Sequence, residues 1–213
     1  ITQLDNGSDA FGLLSIYRGS ASGPIEPAWV TIPGEESAYA GHVARLGDVN
    51  GDGLEDFGLG DAGATYSVWL GSSGTPTRAE NFFPSVSVGN FCGGLCAAGD
   101  INGDGFSDMI LPNSGDGSAK VFLGSALGPL ADPVWAYSIA GADTAAGDFD
   151  GDGYSDVAIG ADGGVSIFLG GPLGLSVAPS ITVTGSSGSG FGRYVETAGD
   201  TNGDGADDLF VSA

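Results

Sequence analysis

The chain has 213 residues, a formal net charge of −22 and a hydrophobic content of 41%, so it is long enough to bury a core. Lysine and arginine number only 5 against 27 aspartates and glutamates, and such a surface repels nucleic acid and anionic membranes. With 41 glycines, no collagen-like period and no amphipathic helical stretch, the composition predicts a turn-dense all-β protein.

The predicted elements recur with a period of about fifty residues. Residues 1–38 supply a third and a fourth strand, three complete repeats follow at about 39–89, 90–138 and 139–189, and residues 190–213 form a last partial repeat. Each complete repeat is predicted to contain a first strand ending in glycine, an acidic loop, a short apolar second strand and two further strands. The predicted first strands are 42–47, 94–99, 142–147 and 194–199; the second are 57–60, 109–112, 157–160 and 209–212; the third are 15–19, 67–71, 120–124 and 166–170.

The acidic loops share a nine-residue pattern with glycine at positions 4 and 6, and their first aspartates are 52, 48 and 52 residues apart. Ca²⁺ takes six to eight oxygen ligands, and these loops offer carboxylate and amide oxygens without sulfur or imidazole. We predict about four Ca²⁺ per chain. Side-chain ligands are expected at positions 1, 3, 5 and 9, and the variable position 7 suits a backbone carbonyl. The predicted ligands are Asp48, Asn50, Asp52, Leu54 and Asp56; Asp100, Asn102, Asp104, Phe106 and Asp108; Asp148, Asp150, Asp152, Tyr154 and Asp156; Asp200, Asn202, Asp204, Ala206 and Asp208.

Two other interpretations of these loops are weaker. An EF-hand places a bidentate glutamate at position 12, whereas this chain has the apolar residues Leu59, Leu111, Ile159 and Val211 there, each inside a predicted strand. Each loop should therefore connect two strands. A hairpin turn without metal would explain one copy, but four copies with the same carboxylate spacing favour calcium.

Four antiparallel strands per repeat predict a single β-propeller domain over residues 1–213, in which each blade is packed between its neighbours. The partial repeats at the two ends are complementary, so we expect four blades, one of them shared between the N- and C-termini. The competing interpretations are that the chain is a segment of a longer propeller and that two copies associate into an eight-bladed ring.

At these residues the chain resembles the FG-GAP repeat family, which includes the integrin α-chain propeller. The four acidic loops carry most of the resemblance; the Phe-Gly element survives at Phe191-Gly192 and nearly at Phe91-Cys92, and the Gly-Ala-Pro element is closest at 160–162. The resemblance implies calcium between first and second strands, a secreted or cell-surface location, and adhesion or ligand binding by the propeller faces.

Residues suited to catalysis are few. His42 is the single histidine, and Glu196 and Asp143 lie on first strands that should line a central channel, where a carboxylate pair could resemble a glycosidase. No other feature supports an enzyme, so we expect none.

Cys92 and Cys96 are too far apart for a disulfide in an extended strand but could be joined across a turn; a bond and two buried thiols both stay open. Tyr17, Trp29, Trp135 and Tyr137 suit packing between blades better than stacking on sugar rings.

The sequence thus predicts a calcium-stabilised, non-enzymatic β-propeller that binds a protein or glycan ligand outside the cell. No run of apolar residues reaches the length of a membrane span, so membrane insertion is not expected. The alternative is a carbohydrate-binding lectin or the accessory propeller of a polysaccharide-active enzyme.

Overall fold

A computed structural model describes residues 2–3, 13–33, 39–61, 66–80, 96–112, 117–138, 143–161, 163–186 and 188–213. These ranges hold β-strands and turns, as the glycine-rich composition predicts, and they contain no helix that could cross a bilayer. The strands are β1 (Thr2–Gln3), β2 (Leu13–Ile16), β3 (Val30–Pro33), β4 (Tyr39–Gly47), β5 (Asp56–Asp61), β6 (Tyr66–Leu70), β7 (Thr77–Arg78), β8 (Cys96–Gly99), β9 (Asp108–Leu111), β10 (Ser118–Phe122), β11 (Trp135–Ser138), β12 (Asp143–Gly147), β13 (Asp156–Ala161), β14 (Gly164–Phe168), β15 (Ile181–Thr184), β16 (Val195–Gly199) and β17 (Asp208–Val211).

The strands form antiparallel sheets in chain order. Sheet 1 is β1–β2–β3, sheet 2 is β4–β5–β6–β7, sheet 3 is β8–β9–β10–β11 and sheet 4 is β12–β13–β14–β15, while β16 and β17 form a terminal hairpin. Sheets 2, 3 and 4 are the three complete four-stranded repeats that the sequence predicts. The second strands contain the apolar residues at position 12 of the acidic pattern, so each acidic loop joins two strands, as expected.

Neighbouring sheets pack face to face, and a separate apolar cluster fills each interface. On β9, Met109 and Leu111 face sheet 2, whereas Ile110 between them faces sheet 4. All three side chains are fully buried, because successive residues of a strand point to opposite faces and both faces of sheet 3 are covered. This arrangement is the packing of propeller blades, and it confirms the predicted fold class.

The two ends of the chain differ in one respect from the sequence prediction. Sheet 1 contains β1 in addition to the expected third and fourth strands, and β1 pairs with Leu13 and Leu14 of β2. Within the described ranges β17 pairs with β16, and no pairing joins β17 to β2. The shared blade and the closure of the ring therefore stay predictions.

Candidate metal centres

The four acidic loops occupy equivalent places, each between the first and second strand of its sheet or hairpin. We name them loop 1 (residues 48–56), loop 2 (100–108), loop 3 (148–156) and loop 4 (200–208). The turns that follow the third strands lie at the same end of the sheets. In sheet 2, for example, Gly71 donates its backbone N–H to Asp56 of loop 1 at 2.6 Å.

The first aspartate organises the backbone of each loop. In loop 2, Asp100 Oδ1 accepts the N–H groups of Gly103 and Asp104 at 2.8 and 3.1 Å, and Oδ2 accepts that of Gly105 at 2.9 Å. Asn102 Oδ1 accepts a further hydrogen bond from Asp104 N–H at 3.0 Å. The two glycines have φ values of +73° and +89°, which a residue with a Cβ atom rarely adopts. The glycines at positions 4 and 6 thus let the chain curl around one carboxylate.

The ninth aspartate ties the loop to the sheet behind it. Asp108 Oδ2 accepts the N–H of Ile101 at 2.9 Å, and Oδ1 accepts that of Gly124, after the third strand, at 2.9 Å. Asp56 and Asp156 make the same two contacts, with Val49 and Gly71 and with Phe149 and Gly170. All three carboxylates are buried. Burial raises the pKa of Asp108 and of Asp156 to about 6, against the opposing effect of these backbone N–H donors.

Loop 3 brings three carboxylates close enough to share one metal ion. Oxygens of Asp148, Asp150 and Asp156 lie within 4.8 Å of one another. Apart from burial, the neighbouring charges of Asp150 and Asp152 also raise the pKa of Asp156. A cation at this point would remove the repulsion, and three carboxylates suit a hard ion that prefers oxygen. The residues at positions 1, 3 and 9 of this loop therefore fit Ca²⁺, and the predicted ligand set stays a prediction. Loops 1, 2 and 4 carry asparagine at position 3, and their ligand sets stay predictions.

Consecutive loops are hydrogen-bonded to each other, a feature that the repeat pattern does not reveal. In loops 2, 3 and 4, the residue at position 8 donates its N–H to the carbonyl of position 1 in the preceding loop. Ser107 donates to Asp48 at 2.8 Å, Ser155 to Asp100 at 3.0 Å, and Asp207 to Asp148 at 2.7 Å. The four loops consequently form one continuous row across the sheets.

Position 7 also contributes to this row. The Phe106 ring covers Gly51, where an added Cβ would lie 2.6 Å from the ring, and Tyr154 covers Gly103 in the same way at 2.5 Å. Such distances are below van der Waals contact, so position 4 must be glycine for the aromatic ring to fit. The residue type at position 7 varies between the loops, yet the structure gives its side chain a packing role at two of the interfaces.

Loop 4 keeps the internal hydrogen bonds, but one external contact of the other loops is absent in the part of the chain that the structure describes. Asp208 Oδ2 accepts the N–H of Thr201 at 3.0 Å and also the Thr201 hydroxyl. Among the described residues, its Oδ1 receives a long 3.4 Å contact from Asn202 Nδ2, where the other ninth aspartates bind a glycine N–H after the third strand. Asp208 is accordingly half-buried rather than buried.

The structure does not assemble a catalytic group from the candidate residues that it describes. Asp143 Oδ2 accepts the N–H of Val195 at 3.0 Å, a contact that joins sheet 4 to the hairpin, and Glu196 is exposed. The backbone of His42 lies in β4, and its side chain is outside the described residues. Cys92 also lies outside them, so the choice between a disulfide and two thiols stays open.

The aromatic residues of sheet 3 pack between blades, as predicted. The rings of Trp135 and Tyr137 stack at 6.0 Å, and both meet Phe168 of sheet 4 edge to face at 4.9 and 4.6 Å. Trp135 also donates its indole N–H to the Ser176 carbonyl at 3.1 Å. In sheet 1, Trp29 packs partly against the apolar cluster shared with sheet 2, and the Arg18 guanidinium lies 4.6 Å from its ring centre.

Stacked antiparallel sheets with an acidic loop on each first hairpin define a β-propeller repeat protein. Residues 48–111 and 148–211 match the FG-GAP-like repeat, and the chain belongs to this family. The matched segments include all four acidic loops.

The curated proteins with significant similarity include integrin α chains. The chain is 31% identical to integrin alpha-PS2 of Drosophila melanogaster over 120 residues, which are 45% of this chain and 8% of that protein. It is 28% identical to human integrin alpha-7 over 142 residues, which are 57% of this chain and 11% of the relative. Mouse integrin alpha-3 shares 24% identity over 123 residues, or 53% of this chain and 12% of the relative. The chain therefore spans about a tenth of the length of these relatives.

Proposed function

We propose that the four loops bind Ca²⁺ and that the bound ions stabilise the sheets. The observation that supports this most directly is the convergence of Asp148, Asp150 and Asp156 within 4.8 Å. The side chains at positions 1, 3, 5 and 9 and the carbonyl at position 7 of each loop would hold the ion. When bound, Ca²⁺ supplies positive charge that offsets carboxylate repulsion and fixes the loop backbone.

With Ca²⁺ bound in its loops, the chain acts as a binding module outside the cell, in adhesion or in the capture of a protein ligand by the propeller faces. Membership of the FG-GAP-like repeat family and similarity to integrin α chains support this role. The acidic loops support an extracellular or cell-surface location, because calcium is abundant enough there to fill weak sites. A glycan is the alternative ligand.

A binding screen tests the module directly. The purified chain would be immobilised in calcium and exposed to extracellular-matrix proteins and, in parallel, to a glycan array. We expect saturable binding to a protein that is lost after EDTA treatment and returns when calcium is restored. Glycan binding without protein binding would favour the lectin alternative, and binding to neither would contradict the proposed role.

We further propose that the chain is not an enzyme. Asp143 is engaged with the Val195 backbone, and the aspartates of the loops are assigned to calcium. Replacing His42, Glu196 or Asp143 by alanine should leave ligand binding intact in a chain that stays folded. A hydrolase or lyase assay over a panel of polysaccharides provides the check, because turnover that disappears in one of these variants would reverse the assignment.

A further inference from the structure

The glycines that follow the third strands of sheets 3 and 4 lie between two acidic loops. A Cβ atom added at Gly124 would lie 2.5 Å from the carbonyl oxygen of Ser107 in loop 2 and 2.7 Å from that of Val49 in loop 1. At Gly170 the corresponding carbonyl oxygens belong to loops 3 and 2. Only a residue without a side chain fits between them. We call Gly124 and Gly170 the joint glycines, because each brings the backbones of two consecutive loops together.

Each joint glycine and the residue after it donate to different loops. Gly124 donates its N–H to the ninth aspartate of loop 2, Asp108, at 2.9 Å. Ser125 donates its N–H to the carbonyl of Val49, the second residue of loop 1, at 3.0 Å. The equivalent bonds in sheet 4 are those of Gly170 with Asp156 at 2.8 Å and of Gly171 with Ile101 at 2.9 Å. Two successive N–H groups therefore connect a predicted ligand of one loop with the backbone of the loop before it.

The second residue of each loop extends this connection to the ninth aspartate of its own loop. Val49 donates its N–H to Asp56 of loop 1, and Ile101 donates its N–H to Asp108 of loop 2, both at 2.9 Å. Asp108 thus accepts Ile101 with one carboxylate oxygen and Gly124 with the other. A continuous path of backbone groups and carboxylates therefore runs from loop 1 through loop 2 to loop 3.

This path is shielded from solvent. The carboxylates of Asp56, Asp108 and Asp156 and the side chains of Val49 and Ile101 belong to residues that are at most 1% exposed. In such surroundings water does not replace a lost partner, so a displaced group would leave a buried donor or acceptor unsatisfied. The hydrogen-bonded groups of neighbouring loops are therefore expected to move together.

The aromatic ring at position 7 provides a second connection across the same interfaces. Phe106 covers Gly51 in the middle of loop 1, while its own N–H donates to the Asp104 carboxylate of loop 2 at 3.0 Å. Tyr154 makes the same pair of contacts with loops 2 and 3. One residue therefore holds both the central predicted ligand of its own loop and the central glycine of the loop before it.

Ordering of one loop should ease ion binding in its neighbour. A loop whose ligands are fixed holds its joint glycine and its position 7 ring in place, and these order the backbone of the preceding loop before that loop binds. On the basis of the calcium binding proposed above, we propose that loops 1, 2 and 3 bind Ca²⁺ with positive cooperativity. Occupancy of one loop raises the affinity of its neighbour by about five-fold or more.

Repulsion between ions in neighbouring loops opposes this effect but is the weaker influence. Packed sheets lie about 10 Å apart, which exceeds the Debye length of about 8 Å at physiological ionic strength. Salt therefore screens the repulsion, whereas it leaves buried hydrogen bonds in place. The cooperativity should accordingly be larger at physiological salt than at low salt.

A calcium titration of the full chain followed by ¹H–¹⁵N NMR measures each loop separately. The reporters are the position 6 glycines, whose N–H groups donate to the first aspartates: Gly53, Gly105, Gly153 and Gly205. Asp104→Ala empties loop 2, and the affinities of loops 1 and 3 should fall by about five-fold or more. Loop 4 shares no hydrogen bond with loop 2 in the described ranges, so its affinity is the internal reference. Because coupling is reciprocal, Asp52→Ala in loop 1 should weaken loop 2 by a similar factor.

Ser125 offers a matched pair of variants at the joint. Ser125→Pro removes the N–H that binds Val49, whereas Ser125→Ala keeps it and removes only the hydroxyl, which donates to the Gly128 carbonyl at 2.6 Å. In the alanine background, Asp104→Ala should still weaken loop 1 about five-fold, and in the proline background about two-fold or less. Loop 3 should respond equally in both, because its contacts with loop 2 do not involve Ser125.

A second variant covers the case in which Ser125→Pro does not fold. Phe106→Ala removes the ring but keeps the position 7 carbonyl, as in loop 4 where alanine stands at this position, and it should reduce the coupling of loops 1 and 2 in the same way. Affinities of loops 1 and 3 that do not depend on loop 2, or a loss at loop 1 that every background leaves unchanged, would overturn the coupling but not calcium binding. A titration in which no loop binds calcium would overturn the proposed function, and the coupling with it.

Discussion

In the absence of calcium, the free energy of unfolding of the chain should fall as the pH rises. In the metal-free protein, burial raises the pKa of Asp108 and Asp156 to about 6, compared with an ordinary value of 3.8. The folded state therefore favours the protonated carboxyls. Their contribution to stability is fully present below pH 3.8 and is lost as the pH rises through about 6.

The expected magnitude follows from these shifts. A rise of about two pKa units corresponds to a loss of at most about 3 kcal/mol for each of the two groups. Burial raises the pKa of Asp56 as well, which adds to the effect in the same direction. Calcium should reverse the trend, because it binds the ionised carboxylates. A site that binds only the folded state stabilises it by about 2.7 kcal/mol when free calcium is a hundred times the dissociation constant.

Urea unfolding at a series of pH values between 4 and 7.5 would measure both effects, once in EDTA and once in excess calcium. The two stability curves should lie close together at the acidic end and separate towards neutral pH. Magnesium in place of calcium is the control, since it seldom occupies cages built entirely from protein ligands. Stability in EDTA that stays constant or increases up to neutral pH would refute the reasoning. So would elemental analysis that finds fewer than two calcium ions per chain.

Three substitutions and one matched control test individual contacts. Asp104→Ala removes a central ligand of loop 2, and calorimetric titration should lose one calcium site of four while the remaining sites bind; loss of every site would contradict the assignment. Gly51→Asn should lower the free energy of unfolding by about 1–3 kcal/mol because its side chain would collide with the Phe106 ring. Gly53→Asn, whose Cβ meets no atom of the described residues within 4 Å, should cost much less, and equal losses would argue against the packing role of position 7. Trp135→Ala should cost about 3 kcal/mol in denaturant unfolding, since the indole contacts neighbouring rings and a carbonyl of the next blade.

The period of the acidic loops was enough to predict the strands and their order, because each repeat contains its own pairing partners. The first strand ends at a glycine, the loop reverses the chain, and Leu59 or Ile159 lies in the second strand where the pattern puts it. Local sequence therefore determines the architecture of sheets 2, 3 and 4. It also identifies the carboxylates of loop 3 that the structure brings together.

Contacts between residues far apart in the sequence, both within a repeat and between repeats, were harder to predict. In the sequence, Asp56 looks only like a metal ligand, but its carboxylate also accepts a hydrogen bond from the backbone N–H of Gly71, 15 positions away. Every residue except proline carries such an N–H, so the residue type gives no signal of this contact. Similarly, a varying position 7 gives no sign that Phe106 needs a glycine in another loop. Strand β1 was missed because Thr2 and Gln3 are too short a segment to show alternation.

The hydrogen bonds between loops also have a consequence for how such proteins change in length. Position 8 of one loop binds position 1 of the loop before it at three successive interfaces, and the donors are serine, serine and aspartate. Because the bond uses backbone atoms, it tolerates changes of residue type at position 8. A duplicated or deleted unit of about fifty residues would recreate the same junction with its new neighbour. Recombination can therefore add or remove whole blades without losing this hydrogen bond between neighbouring loops.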